Sequence, residues 1–243
     1  MKLSICIPVY NEAPTVARLL KKVVAADLRG VGLDKQIIIV DDGSTDATTT
    51  QIRQFLTAHP DLDAQLIELA ANHGKGYAVQ QALAQATGEL CIIQDADLEY
   101  DPADWAVLLQ PLVTGEANAV FGSRGLPLGS DQKQRRLYQI GLTIAHLFIR
   151  VLYGHRFTDV ATCYKALPTE LMRRLELDRR RFDFDMELAC KLLNRGFTIT
   201  ELPISYRPRY KADGKKIRYR DFFSSMWAIF YYRFFNQPGN ARR

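Results

Sequence analysis

Leu90-Cys91-Ile92-Ile93-Gln94-Asp95-Ala96-Asp97-Leu98-Glu99-Tyr100-Asp101-Pro102 is the stretch from which the fold is read. Leu90 to Ile93 is a short apolar run after Thr87-Gly88, the pattern of a strand buried on both faces. It runs into three carboxylates at alternate positions, Asp95, Asp97 and Glu99. Alternate side chains of an extended segment share a face, so these acids are expected to converge. Like charges at the end of a buried strand repel unless a cation sits among them, and all-oxygen ligands suit a hard ion such as Mg²⁺ or Mn²⁺. Asp101 is the expected cap of a helix whose first turn holds Pro102. The competing interpretation is an acidic loop in which Asp101 caps and the other acids are solvated, since Asp-x-Asp is short and common.

The chain on either side repeats the same grammar. Leu3 to Val9, Gln36 to Val40, Ala64 to Leu69 and Ala119 to Gly122 read as further strands. Between them lie segments with apolar residues at helical spacing, such as Val16, Leu19, Leu20, Val23 and Val24. Strands alternating with helices of about 10–15 residues imply an α/β fold with a doubly wound, mostly parallel sheet. Ligands of such sheets sit at the carboxyl ends of the strands. The polar clusters Tyr10 to Glu12, Asp41 to Asp46, Asn72 to Lys75, Asp95 to Glu99 and Arg124 all follow strands, so sequence order places them around one crevice. Asn72-His73-Gly74-Lys75-Gly76 lacks the P-loop spacing; Lys75 reads as a surface lysine, with a phosphate contact as the alternative, and the glycines as aids to backbone geometry or close approach.

The second half is less regular. Gly129 to Gln134 is polar, and a long apolar helix is expected from Arg135-Arg136 to about Tyr153, buried or interfacial. Phe182 to Arg195 reads as a helix stopped by Gly196, and Thr198 to Tyr206 as a last strand. Tyr219 to Phe235 is an expected helix crowded with aromatic residues. Residues 205–243 hold ten Lys/Arg and two Asp, whereas residues 1–204 hold 22 Lys/Arg and 25 Asp/Glu. A basic tail of this kind meets an anionic partner, and rings beside Lys/Arg suit the headgroup layer of a bilayer. The alternative is a helix packed on the sheet.

Composition narrows the class. Hydrophobic content of 47% in 243 residues is enough for a substantial globular core. Cys6, Cys91, Cys163 and Cys190 lie singly, as reduced core residues of a cytosolic protein, without disulfide or zinc spacing. The start is too soon interrupted for a signal peptide, and no run reaches the ~18–20 apolar residues of a membrane span. A cytoplasmic, peripherally membrane-associated chain is expected. A nucleic-acid module is disfavoured, because acids converging on one crevice repel phosphate unless a metal is present.

Val9-Tyr10-Asn11-Glu12, Val40-Asp41-Asp42-Gly43-Ser44-Thr45-Asp46, Gln94-Asp95-Ala96-Asp97 and Gly122-Ser123-Arg124, in this order and spacing, resemble the family 2 nucleotide-sugar glycosyltransferases. Asp159 to Lys165 and Pro203 to Arg209, with Gly214-Lys215-Lys216, narrow the resemblance to dolichyl- or polyprenyl-phosphate mannosyltransferases and their glucosyl relatives. The resemblance implies a fold of the glycosyltransferase A type, with a catalytic domain over 1–210 and a basic, aromatic, membrane-associating segment over 211–243. It implies that Pro8, Tyr10, Glu12, Val40 and Asp42 hold the nucleoside of a GDP- or UDP-linked sugar. Asp95, Ala96 and Asp97 would contact the donor, Asp97, Glu99 and Asp95 would hold the metal, and Arg124, Arg209 and Lys216 would line the phosphate and sugar region. Asp97, Arg124 and Arg209 would carry the catalysis. Two departures stand out. Glu99 occupies a position that is often Gln in the family, and the lysine after Arg209 is spaced differently from the usual pattern, so that Lys215 competes with Lys216.

A polyprenyl phosphate acceptor is already largely anionic near neutrality, its second pKa being about 6, so it attacks without a general base. Attack opposite the leaving group inverts the anomeric carbon. Arg135 and Arg136 are candidates for the acceptor phosphate. A hydroxyl acceptor would instead need a base, for which Asp185 and Glu187 are candidates; otherwise they form the acidic first turn of a helix. A nucleotidyltransferase on a similar sheet is the other enzymatic alternative, disfavoured by the lack of a Gly-rich turn after the first strand.

Overall fold

The computed structural model describes residues 1–126, 136–209 and 219–236, with only the backbone of 136–140 and 219–221. The strands are β1 (Lys2–Val9), β2 (Asp34–Asp41), β3 (Ala64–Glu68), β4 (Leu90–Ile93), β5 (Ala119–Ser123), β6 (Lys165–Pro168) and β7 (Ile199–Pro203). The helices are α1 (Val16–Ala25), α2 (Thr48–Thr57), α3 (Lys75–Gln85), α4 (Trp105–Val113), α5 (Arg136–Tyr153), α6 (Thr169–Arg174), α7 (Phe184–Asn194) and α8 (Tyr219–Phe234).

One seven-stranded sheet runs in the order β3-β2-β1-β4-β6-β5-β7. All its pairings are parallel except those of β6, which is antiparallel to both β4 and β5. The expected α/β, mostly parallel architecture is therefore present. β1, β2 and β4 are buried because helices cover both faces, which is why they read as unbroken apolar runs. β6 escaped the sequence reading: it is four residues long, starts at a lysine and ends at a proline. α6 was not anticipated either.

β4 stops at Ile93. The acids after it do not continue the strand, as their alternate spacing had implied. They lie in a turn in which Leu98 takes a left-handed φ of 63°, a conformation a leucine adopts only when its surroundings impose it. Asp101 caps as expected, accepting the Ala103 N–H at 3.2 Å ahead of a short 3-10 turn at Pro102–Asp104.

α3 begins where two glycines let the chain approach another segment. A Cβ on Gly76 would collide with the Arg179 carbonyl, and one on Gly74, at φ 104°, with the Arg180 carbonyl. α8 rests on α7 and α5 rather than on the sheet. The Tyr232 hydroxyl lies 2.6 Å from Asp178 and 2.9 Å from Glu187, and Asn194 donates to the Tyr232 carbonyl at 2.6 Å. The expected domain boundary at 210/211 lies outside the described residues.

Candidate active site

The carboxyl ends of β1 and β2 are tied to each other. Asn11 takes a left-handed φ of 49°, so that its N–H reaches Ser44 Oγ at 2.9 Å while its side-chain oxygen accepts the Thr45 N–H at 2.8 Å. The Glu12 N–H donates to Thr48 Oγ1 at 2.8 Å. Pro8 and Val40 are register partners one step before this junction, with Tyr10 half-buried beyond it. Asp42 turns toward the next strand: its carboxylate accepts the His73 and Gly74 N–H groups at 2.8 Å and Asn72 Nδ2 at 2.9 Å. Burial raises its pKa, although those N–H bonds pull the other way.

The acids after β4 each find a cation or donor. Asp95 pairs with Lys75 at 2.9 Å, and Ala96 is buried between Asp95 and Asp97. Lys75 is not the surface lysine expected, its side chain being only 12% exposed. Burial opposes its charge, but Asp95 and other nearby anions outweigh it and hold the ammonium well above its usual pKa. Glu99 accepts the Tyr206 hydroxyl at 3.0 Å and the Arg209 N–H at 2.8 Å. Arg209 then reaches across the crevice: its guanidinium forks onto Glu12 at 2.9 and 3.1 Å and meets Asp97 at 3.0 Å. Asp97 is the most perturbed of the acids. Burial first, then the charges of Asp95 and Glu99, push it up to about 7 against the pull of Arg209.

Glu12, Asp95, Asp97, Glu99 and Lys75, from the strand-end clusters, are thus brought together with Arg209, which only the resemblance had placed here. Arg124 is held differently. Its guanidinium pairs with Asp159 at 2.6 and 2.8 Å and donates to the Ala161 carbonyl at 3.0 Å, with its carbon 5.1 Å from the Tyr206 ring centroid. Against burial, that guanidinium keeps Asp159 below the usual carboxylate range. Asp185 pairs with the fully buried Lys165 at 2.7 Å. Glu187 accepts the N–H groups of Asp178 and Arg179 at 2.8 Å and pairs with Lys191 at 2.7 Å. Lys215, Lys216 and Arg135 lie outside the described residues, as does the side chain of Arg136. A cavity of 490 Å³ beside Asn118, Pro168 and Arg195 lies at the other end of the strands, by the amino end of β4.

Four carboxylates (Glu12, Asp95, Asp97, Glu99) face two cations (Lys75, Arg209), an excess of acidic groups that a divalent ion would offset. Among the described residues, however, no three acids, histidines or cysteines assemble into a metal cage. Of the three expected metal carboxylates, Asp95 is engaged by Lys75, Asp97 by Arg209, and Glu99 by the Tyr206 hydroxyl and the Arg209 N–H. The donor set still suits Mg²⁺ or Mn²⁺, since such ions are usually held by one or two carboxylates with substrate phosphates completing the shell.

The chain belongs to glycosyl transferase family 2, whose model matches residues 4–175, and it is a glycosyltransferase. It is 26% identical over 226 residues to a dolichyl-phosphate beta-glucosyltransferase of Dictyostelium discoideum, covering 88% of this chain and 68% of that one. It is 26% identical over 234 residues to a polyprenol monophosphomannose synthase of Mycolicibacterium smegmatis, covering 93% and 86%. The glucosyl-3-phosphoglycerate synthase of Mycobacterium tuberculosis, solved with Mn²⁺, UDP and phosphoglyceric acid, matches with a TM-score of 0.70 at 17% identity, covering 95% and 76%. The fold is of the glycosyltransferase A type.

Proposed function

We propose that this enzyme transfers a hexose, mannose before glucose, from a GDP- or UDP-linked sugar to a polyprenyl or dolichyl phosphate, with inversion and with a divalent metal. The acceptor class is supported by the two curated relatives described above. The observation that carries the donor site is Arg209 spanning Glu12, Asp97 and Glu99, which ties the loop after β1 to the acids after β4 and the segment after β7.

In this reading Pro8, Tyr10, Glu12, Val40 and Asp42 form the nucleoside side of the crevice. Asp97 holds the metal together with the donor's diphosphate, flanked by Asp95 and Glu99. When bound, Mg²⁺ or Mn²⁺ would neutralise the negative charge developing on the departing diphosphate. Arg209 keeps a permanent positive charge beside Asp97, aimed at the same charge. Arg124 acts one step back, by holding Asp159 and stacking on Tyr206, whose hydroxyl orients Glu99. Lys216 is proposed as a further phosphate contact. The acceptor phosphate needs no general base, which fits Asp185 and Glu187 being engaged by Lys165, Lys191 and backbone N–H groups. The chain would work at the cytoplasmic face of a membrane, contacting it through the C-terminal segment.

Thermal-shift or calorimetric titration with GDP, UDP and their sugars, with and without Mn²⁺ or Mg²⁺, tests the donor assignment. One diphosphate should stabilise the protein only in the presence of metal. Absence of nucleotide binding under every metal condition would end the proposal.

A further inference from the structure

Three consecutive backbone N–H groups, those of Thr158, Asp159 and Val160, donate to side chains from two other elements. Glu201, on β7, accepts the first two, both at 2.7 Å. His146, on α5, accepts the third through Nε2 at 3.2 Å. The Thr158 hydroxyl lies 2.7 Å from Ser123 Oγ, which ties the loop to the end of β5 as well. Asp159 and Val160 are buried, so an N–H deprived of its acceptor here is not repaired by water. A neutral imidazole accepts through one nitrogen and donates through the other, whereas an imidazolium only donates. The bond from Val160 therefore assigns His146 as the neutral ring with its proton on Nδ1.

What this loop carries is the partner of Arg124. The Asp159 carboxylate accepts the Arg124 backbone N–H at 3.0 Å, its Nε at 2.6 Å and its Nη2 at 2.8 Å, and the Ala161 carbonyl accepts Nη2 at 3.0 Å. The guanidinium so placed lies 5.1 Å from the Tyr206 ring, whose hydroxyl donates to Glu99 at 3.0 Å. We propose that His146 is a positioning residue for the donor site: with Glu201 it fixes where the Asp159 loop sits, and through Arg124 and Tyr206 it fixes the direction of Glu99. This rests on the donor site proposed above and adds to it a side chain from α5. Every step of the chain is a direct contact between described residues. The placement also titrates. Burial holds His146 below its usual pKa, against the pull of Asp159 and with the help of Arg124, the two charged groups that face it among the described residues. His146 is thus an acceptor at neutral pH, and protonation at lower pH sets a donor against the Val160 N–H and releases it.

The test follows the full chain by NMR, without nucleotide. The Val160 amide and the His146 ring should titrate with one shared midpoint, below about 6.5. In His146→Gln, whose side-chain oxygen accepts without titrating, the Val160 amide should stay still over the same pH range. Well above that midpoint, His146→Leu should move the Arg124 Nε–H signal, and His146→Gln should restore it. In titrations of GDP or UDP with Mn²⁺, His146→Leu should weaken metal-dependent binding about tenfold, while His146→Gln stays within about twofold of the parent. The inference is overturned if the Val160 amide ignores the titration of His146 in the parent, or still moves in His146→Gln. It is equally overturned if folded His146→Leu matches the parent in both the Arg124 signal and nucleotide binding, or if His146→Gln is as impaired as His146→Leu. A parent that binds no nucleotide under any metal condition defeats the donor reading instead, and the Val160 and Arg124 signals decide the role of His146 without it.

Discussion

Arg124 and Arg209 follow neighbouring parallel strands, β5 and β7, and the resemblance assigned both to the same phosphate region. Their surroundings set them apart. Arg124 is enclosed with one carboxylate, Asp159, in a pair whose side chains are 5% and 1% exposed. Arg209 is more open and meets Glu12, Asp97 and, through its N–H, Glu99. A one-to-one buried pair is neutral and complete. A single guanidinium among several acids leaves negative charge over, and that surplus is what can recruit a metal and a diphosphate.

The sharpest break of this comparison is Arg124→Ala, which strands Asp159 in the interior. Unfolding by denaturant should show a loss of about 3–5 kcal/mol. Unchanged stability with lost turnover would instead put Arg124 on the substrate. Asp97→Ala should leave the fold intact while lowering turnover on the order of 10²–10³-fold and removing the metal dependence of nucleotide binding. A variant that still responds to Mn²⁺ moves the ion to other acids. Lys75→Met separates Asp95 from its cation and should cost about 1–3 kcal/mol in a denaturant melt. No loss would show that Asp95 is hydrated rather than held.

The smallest effect is in pH. Asp97 is pushed up to about 7 in the folded chain and titrates near ~3.9 when unfolded, so the folded state holds the extra proton between these values. The stability this lends is complete below about 4 and is lost as pH rises through about 7. The difference in stability between the parent and Asp97→Asn should therefore follow that slope, and a flat difference would refute the burial of Asp97.

Most of the sheet was legible because β1, β2 and β4 are buried apolar runs, each ended by a polar cluster. The strand-end clusters carry Glu12, Lys75, Asp95, Asp97 and Glu99, which the fold gathers at the carboxyl ends of β1 and β4, whereas Arg209 entered only through the resemblance. The turn after β4 was not legible: alternate acids suggest an extended strand, and nothing in Leu98 announces a left-handed residue. Buried ion pairs were missed because a charged residue reads as exposed until its partner is known. One signal was available, since Lys165 stands directly before the apolar Ala166-Leu167 and so called for an acid, found at Asp185. Lys75, between two glycines, carried no such hint.

Tyr232 gives α8 a structural duty toward the crevice. Its hydroxyl serves Asp178 and the wholly buried Glu187, and the adjoining Arg179 and Arg180 carbonyls press on the glycines from which Lys75 reaches Asp95. Trimming the chain ahead of Tyr219 to obtain a more tractable enzyme would strip a donor from Glu187 and loosen the support beneath the acid cluster. The C-terminal helix is a buttress of the catalytic body, and a shortened enzyme would lose firmness at the crevice.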